Sequence, residues 1–272
     1  MIGRSLMRIG VTGCGGRMGR LLVAEVLSSP DCELVGGCDR AGSAVINEDV
    51  ASQAGLDPVG LTVDDDAKAL FQTAEAIIDC TNPAVAKDHL ELAARHRAIL
   101  VLGTTGLESE HHAAVDAAAL CTVVVQASNM SVGVNLLMSL TERATAVLGP
   151  GFDVEITDFH HRDKIDSPSG TTAMLGRLVA QERRQDFAQV ARKVRHGATD
   201  PRQPDAIGFA VSRGGDVAGD HTVILAGQGE RIELTQRTVS RALYAQGGVR
   251  AALWARDKPP GRYSMRNVLG FA

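Results

Sequence analysis

Short apolar runs alternate with stretches whose apolar residues recur every three or four positions through the first half of the chain. Arg8-Ile9-Gly10-Val11-Thr12 is the first run and ends in a glycine cluster. The stretch that follows sets Met18, Leu21, Leu22 and Val26 on one helical face. Glu33 to Cys38 and Ala76 to Cys80 read as strands. Pro83 opens a helix through Arg95, because proline suits the first helical position. Ile99 to Leu102 is a strand ended by Gly103, Glu108 to Leu120 is helical, and Thr122 to Val125 is a strand. Apolar strands separated by helices predict an α/β domain with a doubly wound parallel sheet.

The pattern changes near Asn129. Ser131 is placed to cap a helix reaching Leu148. Strand patterns then dominate, at Val154 to Phe159, Ile207 to Val211, Val217 to Leu225 and Arg231 to Thr238. The last alternates, with Ile232 and Leu234 against Arg231, Glu233 and Thr235. Arg213 to Asp216 and Gln228-Gly229-Glu230 have the composition of hairpin turns, which predicts a largely antiparallel sheet in a second, α+β domain. Ser240 to Trp254 is helical again and is expected to return to the first domain. The predicted division is 1–129 with 241–272 for the first domain and 130–240 for the second.

Composition narrows the function. At 272 residues, two domains of ordinary size are expected. Apolar residues make up 44% and charged residues 22%, which excludes disorder as the global state. The net charge of −4 gives no overall attraction to nucleic acid or to an anionic membrane, and aromatics at 3% argue against a base-stacking surface. The five cysteines, Cys14, Cys32, Cys38, Cys80 and Cys121, form no C-x-x-C pair and read as reduced thiols of a cytoplasmic protein. No apolar run has the length of a membrane span. The first strand begins at Arg8, so the first six residues are expected to be a loose extension and Met7 an alternative start.

Gly13-Cys14-Gly15-Gly16-Arg17-Met18-Gly19 lies between the first strand and the first helix. Glycines there allow a tight turn and close approach of backbone to a pyrophosphate, which the helix N-terminus attracts. Asp39 falls 20 residues after Gly19, where a carboxylate meets a ribose hydroxyl in dinucleotide folds. The third glycine of the usual spacing would stand at position 18, where this chain has Met18. A tight turn without a ligand would also explain the glycines, but the acid at the end of the second strand favours a nucleotide. No Gly-Lys-Ser/Thr follows, so the loop is not a P-loop. Arg40 is either a reader of a 2′-phosphate or a solvated turn residue. Gly103-Thr104-Thr105 and Ala127-Ser128-Asn129-Met130 end later strands, at the edge where open α/β sheets bind ligands; ordinary turns are the alternative.

The densest chemistry is Phe159 to Thr172, which holds His160, His161, Arg162, Asp163, Lys164, Asp166, Ser169, Gly170 and Thr171. Its cationic groups, with hydroxyls and N–H groups at a helix start, suit a small carboxylate-bearing molecule. A metal site on His160, His161, Asp163 and Asp166 is disfavoured, because adjacent strand residues face apart and Arg162 and Lys164 repel a cation. A solvated charged loop is the remaining alternative.

At these residues the chain resembles the 4-hydroxy-tetrahydrodipicolinate reductase family, also called dihydrodipicolinate reductases. The resemblance runs in order through Gly13 to Gly19, Gly103 to Gly106, Ser128 to Asn135, His160 to Thr171, Gly219-Asp220-His221-Thr222, Gly229-Glu230-Arg231 and Gly248 to Trp254. It implies a Rossmann-type first domain, a second domain with a mixed sheet, and a homotetramer built through that sheet. It implies hydride transfer from NADH or NADPH to a cyclic dicarboxylate, in the diaminopimelate route to lysine. His160 matches the family's proton donor and acceptor, and Lys164 its second proton donor. His161, Ser169, Gly170 and Thr171 match substrate positions. Gly13, Cys14, Gly15, Gly16, Arg17, Met18, Asp39, Arg40, Gly103, Thr104, Thr105, Ala127, Ser128, Asn129 and Met130 match cofactor positions, and no metal position is implied. The family often has Phe at Cys80 and His at Asp163. The second departure is expected to set a carboxylate beside Lys164.

Overall fold

The computed structural model describes residues 5–192, 197 and 201–271. Of the loose extension expected at the first six residues, 1–4 lie outside the described residues. The chain forms two compact units, one of residues up to 132 and from 242 onward, the other of residues 133–241.

In chain order the first unit begins with β1 (Met7–Thr12), α1 (Arg17–Ser28), β2 (Cys32–Cys38), α2 (Ala67–Thr73), β3 (Ala76–Asp79) and α3 (Pro83–His96). It continues with β4 (Ile99–Leu102), α4 (Ser109–Ala119) and β5 (Val123–Gln126). Helix α5 (Val132–Leu148) leads into the second unit, which holds β6 (Asp153–His160), α6 (Gly170–Glu182), α7 (Phe187–Val190) and β7 (Ala191–Arg192). Strands β8 (Ile207–Arg213), β9 (Gly219–Ala226) and β10 (Arg231–Thr238) complete it. The chain then returns as α8 (Ala242–Ala255), β11 (Gly261–Tyr263) and α9 (Met265–Leu269).

The first sheet is parallel throughout, in the order β11-β5-β4-β3-β1-β2. All four residues of β3 are buried, as a strand covered on both faces requires. One face packs Leu22, Val23 and Val26 of α1 with Ala245, Val249 and Ala252 of α8. The other packs Phe71 of α2, Leu90 of α3 and Val115 of α4. The inward face of α1 thus uses Val23 where the sequence pattern suggested Leu21, which is half-buried. Helix α3 starts where expected: Pro83 follows Asn82, whose Oδ1 accepts the Ala84 N–H at 3.0 Å.

The second sheet is mixed, in the order β10-β9-β6-β8-β7. Strand β6 is antiparallel to β9 and parallel to β8. This corrects the reading of Arg213 to Asp216 as a hairpin turn, because β8 and β9 lie on opposite edges of β6. The segment carries the chain past the end of β6 instead. The Gly214 N–H donates to His160 O at 2.9 Å, and Gly215 O accepts the Arg162 N–H at 3.2 Å. The turn at 228–230 does close a hairpin, between β9 and β10. The core of this unit joins Leu137, Val154, Ile156, Leu175, Val179, Ile207, Val223 and Leu225. Among the described residues, no helix is long and apolar enough to cross a membrane.

Candidate active site

The glycine loop leads from β1 into α1. Gly13 has φ of 65°, a left-handed conformation that favours glycine. A Cβ on Gly19 would collide with the Gly13 carbonyl, and one on Gly15 would stand 2.9 Å from Asp39 Oδ2. The first turn of α1 carries no acid, and its N-cap Gly16 offers no side-chain acceptor. The helix therefore presents uncapped N–H donors where an anion would lie. The Asp39 carboxylate accepts the Gly15 N–H at 2.9 Å and the Arg40 N–H at 2.8 Å. Gly13, Gly15, Gly16, Asp39 and the exposed Arg40 line one cleft of about 680 Å³. Cys14 points into the core, and burial pushes its thiol up to about 11, so it contributes backbone only.

Gly103 and Ala127 are joined through the strand ends, with the Gly103 N–H on Asp79 O and the Ala127 N–H on Leu102 O. Neither Gly103, Thr104 and Thr105 nor Ala127 to Met130 line that cleft. Thr104 is buried, its hydroxyl 3.3 Å from Asp79 Oδ1. Met130 is also buried, and Asn129 Oδ1 accepts the Ser131 N–H.

The sequence did not point to Asp79 or His89. Asp79 is fully buried and accepts the Thr81 N–H at 2.9 Å, the Thr81 hydroxyl at 2.6 Å and the His89 Nδ1–H at 2.7 Å. Burial works to raise its pKa, but His89 and Thr81 outweigh it and hold the carboxyl below its usual range. His89, Thr81 and Cys80 line the same cleft as the glycine loop. Burial and Asp79 push the Cys80 thiol up to about 12, so it is protonated at neutral pH.

The second unit gathers the other predicted residues at the end of β6. Asp158 and His160 face the covered side of the sheet, and the His160 Nδ1–H meets Asp158 Oδ1 at 2.6 Å. Ser169 caps α6, and its N–H donates to Asp158 Oδ2 at 2.7 Å. The Thr172 hydroxyl and Arg213 Nη1 add donors at 2.9 and 2.8 Å. Burial alone would raise the Asp158 pKa; its bonds from Ser169, His160 and Thr172 reverse that and hold it far below the usual carboxylate range. His160 is lowered, first by burial, against the upward pull of Asp158. His221 packs edge-on to His160 with ring centres 5.2 Å apart and is lowered by burial and by His160. Its Nε2 lies 3.3 Å from Ser169 Oγ.

Lys164 reaches Asp166 Oδ1 at 2.6 Å, while Asp163 is exposed. The carboxylate beside Lys164 is thus Asp166, in place of the Asp163 that the sequence suggested. His161 and Thr171 are half-buried and Gly170 is exposed at the start of α6. Thr172 and His221 lie in stretches that the sequence singled out but carried no assigned role there, and Asp158 and Arg213 were not among the candidates. The D-x-H spacing of Asp158 and His160 on a strand was the available signal, because alternate residues share a face. Among the described residues, no group of three or more His, Cys, Asp or Glu is placed to hold a metal ion.

Two family models match nearly the whole chain: dihydrodipicolinate reductase, N-terminus, over residues 7–130, and dihydrodipicolinate reductase, C-terminus, over residues 133–269. A 4-hydroxy-tetrahydrodipicolinate reductase of Cereibacter sphaeroides is 47% identical over 260 residues, covering 96% of this chain and 97% of that one. One from Brucella abortus is 44% identical over 265 residues, covering 97% and 99%. The structure of a dipicolinate-bound dihydrodipicolinate reductase from Paenisporosarcina sp. TG-14 shares the fold. Its TM-score is 0.75 at 22% identity, covering 96% of this chain and 99% of that one.

Proposed function

The chain belongs to the dihydrodipicolinate reductase family, and from that membership we infer the reaction and the part each residue plays in it. The protein is an oxidoreductase that reduces 4-hydroxy-tetrahydrodipicolinate with a pyridine nucleotide. The observation that carries this reading is the pair of family matches, which takes in both the glycine-loop cleft and the Asp158–His160 cluster.

The product is tetrahydrodipicolinate, made in the diaminopimelate route to lysine. The loop from Gly13 to Met18 holds the pyrophosphate on the uncapped start of α1, and Asp39 turns to the adenosine ribose. Gly103, Thr104 and Thr105, with Ala127 to Met130, hold the nicotinamide half. Both NADH and NADPH serve, because Asp39 suits a 2′-hydroxyl and Arg40 a 2′-phosphate. When bound, the dihydronicotinamide supplies the hydride.

The substrate is a cyclic dicarboxylate. The start of α6 offers the N–H groups of Gly170 and Thr171 and the hydroxyls of Ser169 and Thr171 to one carboxylate. His161 adds a further contact. Loss of water from the substrate gives a conjugated imine, and reduction puts electron density on the ring. His160 delivers the balancing proton, a task suited to histidine near neutral pH. Lys164 steadies a carboxylate and is the second proton donor. The enzyme works in the cytoplasm as a homotetramer whose subunits meet through the outward face of the second sheet. Light scattering should give four times the chain mass.

The direct test adds the freshly made condensation product of pyruvate and aspartate semialdehyde to enzyme and reduced cofactor. Loss of nicotinamide absorbance at a rate set by enzyme concentration is expected. No loss with either cofactor overturns the assignment.

A further inference from the structure

Asp158 sits on the buried face of β6 with four donors: the Ser169 N–H, the Thr172 hydroxyl, Arg213 Nη1 and the His160 ring. A carboxylate so surrounded is an acceptor with no proton of its own, so the neutral ring carries its proton on Nδ1. Nε2 is then the nitrogen left for chemistry. Beside it lies Gly219, the first residue of β9, with φ of 155°. A Cβ at Gly219 would stand 2.9 Å from His160 Nε2 and 3.5 Å from His221 Cε1.

We propose that Asp158 and Gly219 are positioning residues for His160: the carboxylate fixes one ring proton on Nδ1, and the missing Cβ keeps Nε2 open to hand its proton to the substrate. The proposal rests on the reading of His160 as the proton carrier. It adds two residues for which neither motif nor fold match supplies a role.

Among the described residues, four charged or titratable groups face the His160 ring. Asp158 comes from β6, Lys164 from the segment after it, Arg213 from β8 and His221 from β9. Burial, Lys164 and Arg213 all disfavour the charged ring, and Asp158 is the chief group that favours it. Removing the Asp158 charge takes away the main pull that offsets them. The charged ring is the proton donor, so the rate falls as pH rises through its pKa. Asp158→Asn therefore moves that fall to lower pH. An amide at 158 also offers the ring an N–H as readily as an oxygen, which lets the proton settle on Nε2.

The experiment measures kcat against pH, with the ring protonation of His160 read from long-range 1H–15N spectra. It compares wild type, Asp158→Asn, Asp158→Glu, Gly219→Ala and His160→Asn. Wild type should show a neutral ring protonated on Nδ1. Asp158→Asn should lose about 10²-fold in kcat and shift the alkaline fall by about one pH unit or more. Asp158→Glu should recover part of both. Gly219→Ala should keep the Nδ1 proton and lose kcat, which separates access from proton placement. Should Asp158→Asn fail to fold, the wild-type spectrum and Gly219→Ala decide. A wild-type ring protonated on Nε2, an unshifted profile in Asp158→Asn, or full kcat in Gly219→Ala overturns the proposal. Full kcat in His160→Asn overturns the reading beneath it, whatever the spectra show.

Discussion

The Asp39 carboxylate accepts the N–H groups of Gly15 and Arg40, so it is oriented before any ribose arrives. Arg40 extends into solvent at the mouth of the same cleft. Arg40→Ala should weaken NADPH by about 1–3 kcal/mol and leave NADH nearly unchanged, while Asp39→Ala should weaken NADH more. Calorimetry of both cofactors on both variants checks this, and equal weakening in Arg40→Ala identifies a solvated turn residue. In the second unit, His160→Ala should cost about 10²–10⁴-fold in kcat. Lys164→Ala should lose rate and raise KM together, as steady-state kinetics will show. The glycine loop and the His160 to Thr171 block were legible because each is a contiguous string whose residue types state their chemistry. Asp79 and His89 were not. One ends an apolar strand and the other lies ten residues on in a helix, and only the fold brings them within 2.7 Å.

Elements were legible where the pattern is local. Runs of buried aliphatic residues marked β3, β4 and β5 within a residue of their ends, and the Asn82-Pro83 start marked α3. Strand pairing was not local. The glycines of 213–216 announced a turn, and nothing in the string said that β6 would lie between the strands it joins. Close packing between elements was equally hidden. A Cβ on Gly247 of α8 would run into the Met130 carbonyl, which follows β5. Gly247→Ala should therefore destabilise the first unit by about 1–3 kcal/mol, despite alanine's better helix propensity. Thermal unfolding checks this. A rise in Tm would show that the helix shifts without cost.

Among the described residues, each unit carries one fully buried aspartate whose carboxyl is held below its usual range, Asp79 in the first and Asp158 in the second. Such a group stabilises the fold above its unfolded pKa of about 3.9, and that contribution drains away as pH falls through the lower folded value. His160 and His221 are lowered as well. The unfolded chain binds their protons first, so acid begins to cost stability below about pH 6.5. Acidification should therefore lower Tm in two stages, the first from the histidines and the second from the aspartates. His221→Gln should flatten the first stage and Asp79→Asn the second. Calorimetric scans from neutral pH to about pH 2 will separate them.

Strand β6, flanked by β9 on one edge and β8 on the other, also sets a timetable for synthesis. It is the first strand of its sheet to leave the ribosome, yet its neighbours begin at Ile207 and Gly219. Both edges of β6 stay open while some fifty more residues are made, longer than a string of hairpins would require. The first unit waits longer still, since α8 and β11 come from the last part of the chain. Unpaired edges of this kind invite aggregation of nascent chains. A cell that makes this protein quickly is expected to need a chaperone at the tunnel exit more than the finished enzyme needs one.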